Sequence, residues 1–244
     1  MLADTLRDVA GTVLVDDEGE EHVLELLPPV ADSEIERLGS ELSVPLPSEL
    51  REALRVSAGF SNGPLESLGF LDLAGFGMED VFPNAYPLGH DGFGNYWVLD
   101  LPPDGDQCGP VFYACHDPPV IAFQSTSPSQ FVREVVAMWQ PGPRSPVDIV
   151  HEDVTSAIWV DSELQNRTSL LAPRDPVVAD FAAGFPPEAF FADLRSPELG
   201  DGFSWGRYGP RTEWTRAGRL RLWATVPPPA PQGLFAGVLR WWRG

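Results

Sequence analysis

The sequence predicts an α+β fold in which an antiparallel sheet is packed by helices. Two short segments with helical spacing come first, three runs rich in β-branched and aromatic residues follow, and one more amphipathic segment comes after them. Helices and strands that occur in blocks, rather than alternating one by one, are typical of antiparallel α+β domains. The chain has 244 residues, of which 43% are hydrophobic, so it is long enough to bury a sizeable core.

The first elements are a hairpin and two helices. In "TVLVDDEGEEHVLEL" two short β-rich runs flank an acidic turn that contains glycine, which predicts an N-terminal hairpin. The segment "ADSEIERLGSEL" predicts a helix with Asp32 or Ser33 as its N-cap. The next segment, "LPSELREALRVSAGF", predicts a helix that starts at Ser48 and stops at Gly59.

A meander of strands and a closing helix come next. The predicted strands are "NYWVLDL", "PVFYAC" and "PVIAFQ", at residues 95–101, 110–115 and 119–124. The turn compositions "PPDGDQCG" and "HDPP" separate them. In "SPSQFVREVVAMW", Ser127 and Gln130 form a capping-box pattern and Pro128 occupies the first helical position. This segment therefore predicts a helix that closes the unit.

Beyond the linker sequence "QPGPRSP" the chain predicts a second, smaller α+β layer. We interpret "HEDVTSAIWV" as a strand, and Asp175-Pro176 as the start of a helix. In "RLRLWATV" the alternation predicts a strand with Leu222 and Ala224 on one face and Trp223 on the other. The end, "LFAGVLRWWRG", predicts a terminal helix, either docked on the protein or anchored at a membrane interface or partner.

These patterns together resemble the SUKH superfamily, the Smi/Knr-type domain of bacterial immunity proteins and fungal cell-wall-assembly regulators. The resemblance rests on "IERLGSEL" with "VPLPSELREAL", on "AGFSNG", on "HDGFGNYWVLDL", on "PVFYACHD" and on the closing helix. It implies a SUKH-like domain at residues 28–140, with a hairpin extension at 1–27 and an α+β extension at 148–244. It also implies a protein-binding role without catalysis.

The stretch "GHDGFGNYWVLDL" raises the question of a binding loop. A glycine pair that cradles phosphate follows a strand and opens a helix, whereas this pair precedes a strand. We therefore expect a structural turn made by Asp91, Gly92, Gly94 and Asn95, in which the glycines supply positive φ and the polar side chains bond the local backbone. The pattern of an EF-hand calcium loop is absent from the sequence.

Other chemical motifs are equally sparse. Cys108, Cys115, His90 and His116 have zinc-ligand chemistry, but no C-x-x-C pair is present, and cysteines in strands are typically small core residues. The chain contains no lysine, which excludes P-loop, Schiff-base and kinase-type mechanisms. We therefore expect no catalytic residue, no metal, no cofactor and no small-molecule substrate.

Charge indicates the kind of partner. The chain holds 36 acidic residues against 16 basic ones, and residues 1–194 hold 33 of the acids with only 8 arginines, a net charge near −25. Such a surface repels nucleic acid and attracts basic proteins, although acidity also serves solubility alone. The predicted partner-binding residues are those of the hairpin turn: Asp16, Asp17, Glu18, Glu20 and Glu21.

The resemblance and the charge together predict a non-enzymatic immunity protein that sequesters a basic toxin domain, with a nuclease as the expected toxin. The alternatives are a regulatory scaffold of the Smi/Knr type and a hydrolase of unknown chemistry. The acidic start of the chain does not fit a signal peptide, and no apolar run of membrane-spanning length occurs. These features favour a cytoplasmic location.

Overall fold

The computed structural model describes residues 1–66, 68–71, 77–103, 107–161, 164–171, 175–209 and 212–228. Its helices are α1 (Leu2–Val9), α2 (Asp32–Glu41), α3 (Ser48–Leu54), α4 (Pro128–Ala137), α5 (Pro146–Asp148), a π-helical segment (Ile149–Val154), α6 (Thr155–Val160), α7 (Arg167–Leu170) and α8 (Pro176–Ala183). Its strands are β1 (Val13–Val15), β2 (Glu21–Val23), β3 (Glu25–Leu26), β4 (Gly59–Ser61), β5 (Leu68–Gly69), β6 (Ala85–His90), β7 (Tyr96–Asp100), β8 (Val111–His116), β9 (Pro119–Ser125), β10 (Gln165–Asn166), β11 (Phe190–Asp193), β12 (Gly202–Phe203), β13 (Trp214–Arg216) and β14 (Leu222–Thr225). The α+β prediction is confirmed.

The central sheet is antiparallel, with strand order β12-β9-β8-β7-β6. The three predicted strands are its middle members, while β6, which contains Pro87 and Gly89 at a bulge, was not predicted. Side chains alternate between two cores: Trp97 and Tyr113 face the first core, and Val98 and Phe112 face the second. Both faces of this sheet are therefore covered, which explains why its strands are apolar almost throughout.

The helices α1 to α4 belong to the first core. Ser127 caps α4 as predicted, because its hydroxyl accepts the Gln130 amide at 3.2 Å. The capping prediction for α2 was wrong: the helix begins at Asp32, but Ala31 occupies the cap position and no side chain caps it. Helix α1 was not predicted, although Leu2, Leu6 and Val9 lie at helical spacing and all are buried.

Residues 151–160, predicted as a strand, are helical. The helix begins after Ser145, whose hydroxyl accepts the Val147 amide at 3.2 Å, and has Pro146 at its first position. Val147, Val150 and Ile158 are buried in the first core, and this spacing of 3 and 8 residues fits a helix face. The strand prediction failed because the segment considered began at residue 151. The helix cap at Ser145 and the first buried residues of the helix, Val147 and Val150, lie before that segment.

The second sheet, with order β10-β11-β14-β13, packs against the far face of the central sheet. Asp175 caps α8 as predicted, through the Val177 amide at 2.9 Å. Leu222 and Ala224 share one face of β14 as predicted and enter a third core with α7 and α8, while Trp223, on the other face, enters the second core between the sheets. The predicted terminal helix in "LFAGVLRWWRG" lies outside the described residues.

A buried ion pair joins the central sheet to the second sheet. Both guanidinium Nη atoms of Arg216 on β13 donate to the Asp100 carboxylate on β7 at 2.8 Å, and the two side chains are 6% and 4% exposed. The Arg216 guanidinium also lies over the rings of Phe82 and Trp223, at 5.1 and 5.0 Å from their centroids. The domain boundaries at 27/28 and 140/148 stay predictions, but residues from the predicted extension contribute to the core of the predicted domain.

Candidate functional site

The acidic hairpin is formed by β1 and β2, whose pairing places residues 16–20 in the turn. Asp17, Glu18, Glu20 and Glu21 are exposed. Asp16 has a different environment, because its carboxylate accepts the amides of Glu18 and Glu20 and lies 2.8 Å from His22 Nε2. The bond with His22, followed by these amides, lowers the Asp16 pKa. Four of the five predicted residues thus face solvent, while Asp16 fixes the turn that presents them.

The hairpin is attached to the rest of the protein along one side. The Val15 amide donates to the Trp139 carbonyl at 2.9 Å, and the ring of His22 lies 5.1 Å from the Trp139 ring. Leu14, between the exposed valines of β1, is fully buried in the first core. Because these contacts anchor both strands, the acidic turn has a defined position on the surface.

Two hollows border the loop at residues 60–66, which includes the end of β4 and the residues after it in the small sheet β3-β4-β5. The first hollow, of about 370 Å³, lies between this loop and Trp139 at the end of α4. The second, of about 170 Å³, lies between residues 64–66, the turn at 91–93 and the helical region at 147–151. We call residues 13–23, 60–66 and Trp139 the hairpin face. It combines exposed carboxylates with an adjoining concave surface.

The side chains of the turn at residues 91–95 stabilise it through hydrogen bonds to backbone amides. Gly92 and Gly94 have φ of 81° and 87°, a region that side-chain-bearing residues rarely adopt. Asp91 Oδ1 accepts the amides of Phe93 at 2.8 Å and Asn95 at 3.2 Å, and Asn95 Oδ1 accepts the His116 amide at 3.0 Å. The backbone amides that a phosphate would require are bonded to a carboxylate instead, which argues against a phosphate loop.

Replacing these glycines tests the structural role that we predict for them. Gly92→Val or Gly94→Val should lower the free energy of unfolding by about 1–3 kcal/mol, because each places a β-branched residue at positive φ. A Cβ would also meet Glu66 Cγ or His116 Cε1 at 3.2 Å. Urea denaturation measures the loss, with Gly184→Val as control because Gly184 has a φ of −73°. An unchanged melting temperature together with lost partner binding would identify a contact site instead.

Asp91 also links the turn to the C-terminal part of the chain. Its Oδ2 accepts the Tyr113 hydroxyl at 3.0 Å and the Asn95 side-chain amide at 2.6 Å, and lies 3.3 Å from His151 Nε2. Burial raises the Asp91 pKa, but the hydrogen bonds from Asn95, Phe93 and Tyr113 outweigh it, so that the net shift is downward. The sequence did not reveal the contribution of His151, because the segment "HEDVTSAIWV" that contains it was interpreted as a strand.

Within the described residues, the four side chains with zinc-ligand chemistry, at Cys108, Cys115, His90 and His116, do not form a group of potential ligands. Cys115 is buried in the first core, and burial raises its pKa, as it does for Cys108. His116 follows Cys115 on the same strand, is exposed, and lies 2.8 Å from Asn95 Oδ1 through Nδ1. Within the described residues, the one group of potential ligands that lies together is Asp16, Glu20 and His22 in the hairpin, with atoms within 4.8 Å of one another.

We expect no metal at Cys108, Cys115, His90 and His116, because a protonated thiol is a poor ligand. Elemental analysis of the purified protein should find zinc well below one equivalent. Stoichiometric zinc that disappears in Cys115→Ala would contradict this prediction. The His22→Ala variant is the matched control, because it separates metal held by the hairpin from metal held near β8.

None of the helices in the described parts of the chain has the length and apolar character that crossing a membrane requires.

Comparison of the sequence with known families gives a match over residues 29–134 to the SMI1 / KNR4 family (SUKH-1). Residues 29–134 are thus similar to SUKH domains, and we call them the SUKH segment. No curated protein and no solved structure matches the sequence. SUKH domains are generally non-catalytic and serve in immunity or regulation.

The match divides the site residues into two groups. The SUKH segment contains the loop at 60–66, the turn at 91–95 and Asp100. The acidic hairpin, Trp139, His151 and Arg216 all lie outside it. The hairpin face is therefore built from both SUKH and additional residues, whereas Arg216 lies in the contact between the central sheet and the second sheet.

Proposed function

We propose that this chain is a cytoplasmic immunity protein that binds and neutralises a basic toxin domain, with nucleases as the toxin class. The SUKH segment supports an immunity or regulatory role in general. The observation that carries the finer proposal is the anchored hairpin with four exposed carboxylates beside two hollows. The protein acts by occupying a surface of its partner and not by catalysis.

The charge supports a nuclease partner. An enzyme that holds polyphosphate has a basic cleft, because Lys and Arg neutralise the phosphates. A projecting turn with Asp17, Glu18, Glu20 and Glu21 fits such a cleft and competes with the nucleic acid for the same cations. The wider surface has the same sign, since residues 1–194 carry 33 acids against 8 arginines. Charge of one sign also speeds the encounter with a basic protein.

The test begins with a pull-down from the native cytoplasm, using the full chain as bait. We expect a basic protein with nuclease activity, whose gene lies next to that of this chain. Adding the purified chain should abolish the nuclease activity at one equivalent. Recovery of a stable partner that has no toxic activity would contradict the immunity proposal and favour a regulatory scaffold of the Smi/Knr type. Turnover of the toxin or of its substrate by this chain would contradict the non-enzymatic role.

A further inference from the structure

The second hollow has the dimensions of a site for a single side chain. Its volume is about 170 Å³, below the roughly 300–1,000 Å³ that small-molecule pockets occupy. Three parts of the chain enclose it: the SUKH loop at 64–66, the SUKH turn at 91–93, and the helical region around Val147 and His151. A partner residue that enters this hollow would contact both the SUKH segment and the C-terminal extension.

The residues that line the hollow suit a partner side chain that has an aliphatic stem and a planar end group. Leu65 and Met138, both half-buried, supply accessible apolar surface, whereas Val147 and Trp97 line the hollow from within the first core and are almost fully buried. Phe93, at the tip of the turn, is 79% exposed. Aromatic rings attract cations that lie over their faces. Phe93 therefore offers an accessible aromatic face beside the hollow.

The carboxylates around the hollow give it the charge that a cation requires. Asp91 lines it but already accepts hydrogen bonds from Phe93, Asn95 and Tyr113. Glu66 also lines it, is exposed, and has no ion pair with any other described residue. The acidic hairpin adds a weaker contribution of the same sign nearby, because Asp17 acts electrostatically on Asp148, the neighbour of Val147, where Arg144 acts in the opposite direction.

We propose that the second hollow binds one arginine side chain of the basic partner, with Glu66 paired to the guanidinium and Phe93 stacked on it. Arginine fits better than lysine, because its planar guanidinium stacks on rings and meets a carboxylate with two parallel hydrogen bonds. This inference rests on the proposed function, whose partner it describes in more detail. The SUKH loop supplies Glu66, while His151 from the extension completes the wall.

The probe is N-acetyl-arginine amide, titrated into the full ¹⁵N-labelled chain and followed by two-dimensional NMR. We expect saturable shifts confined to residues around 64–66, 91–97 and 147–151, with a Kd on the order of 1–10 mM for a ligand of this size. N-acetyl-citrulline amide has almost the same shape without the charge and should bind at least about fivefold more weakly. The lysine analogue should also bind more weakly, because it lacks the planar group.

The variants locate the interaction. Glu66→Gln and Phe93→Ala should each weaken arginine binding about threefold to fivefold, as expected for an exposed ion pair and a ring contact. Glu36→Gln, which removes another exposed carboxylate, on α2, should leave arginine binding unchanged. Equal binding of citrulline, equal loss in Glu36→Gln, or no saturable shift at ~50 mM would each overturn the proposal. The toxin assay stays independent, because arginine binding is measured without a partner.

Discussion

Asp100→Ala should lower the free energy of unfolding by about 3–5 kcal/mol, the largest loss that we expect from one substitution outside the apolar cores. The substitution leaves the Arg216 guanidinium buried without its carboxylate, and Arg221, at 3.8 Å from the same carboxylate, loses its nearest anion. For a chain of this length the melting temperature should fall by roughly 6–20 °C. Urea denaturation and thermal melting measure the two quantities.

A second variant distinguishes the ion pair from simple loss of volume. The double variant Asp100→Leu with Arg216→Met removes both charges and keeps apolar volume, so it should be more stable than Asp100→Ala. Glu41→Ala, which removes the partner of Arg37 in an exposed pair on α2, is the matched control and should change stability by less than about 0.5 kcal/mol. A double variant as unstable as Asp100→Ala would contradict the explanation based on an uncompensated buried charge.

The elements that the sequence predicted correctly are those with local signals. The strands at 96–100, 111–116 and 119–125 are dense in β-branched and aromatic residues and have turn sequences between them. The segment of helix α4 contains a capping serine, a proline at the first helical position and apolar residues at helical spacing. Strand β6 escaped prediction because Pro87 and Gly89 weaken its β signal, yet its pairing with β7 accommodates them at a bulge.

Long-range contacts were beyond sequence patterns. Asp100 and Arg216 are separated by 116 residues, and nothing in either local segment indicates that they pair. The same holds for β12, which joins the edge of the central sheet beside β9. The alternation correctly placed Trp223 on the opposite face of its strand from Leu222 and Ala224, but it did not indicate what covers each face. The structure buries both faces of β14, between the second and third cores.

For the candidate site, the sequence located the acidic turn but not its surroundings. A cluster of acids between two short β-rich runs is a local signal, and the structure shows the hairpin there. The loop at 60–66 and Trp139 reach the hairpin only through tertiary packing, by way of Asn62 and Val15. The exception within the hairpin is Asp16, whose bonds to the turn amides and His22 set it apart from its neighbours.

The structural role of Asp16 determines which acids should be replaced in the experiment on partner binding. A variant that neutralises the four solvent-facing acids should associate with the toxin at least about tenfold more slowly at low salt, while dissociation changes less, because charges at a rim act mainly on the encounter. The substitutions are Asp17→Asn, Glu18→Gln, Glu20→Gln and Glu21→Gln. Asp16 is left in place so that the turn keeps its shape. Stopped-flow mixing at several salt concentrations measures the rates, and the wild-type association rate should fall steeply as salt is added.

The matched control removes the same charge from another surface. Asp180→Asn, Glu188→Gln, Glu198→Gln and Glu213→Gln again replace one aspartate and three glutamates, all exposed and all in the C-terminal extension. If the hairpin meets the toxin, the control should slow association far less than the hairpin variant, because its charges lie outside the contact. Equal slowing in both would show that net charge alone steers the partner. Association that is indifferent to salt and to the hairpin substitutions would assign the hairpin to solvation, and the contact surface would then be sought in the extension.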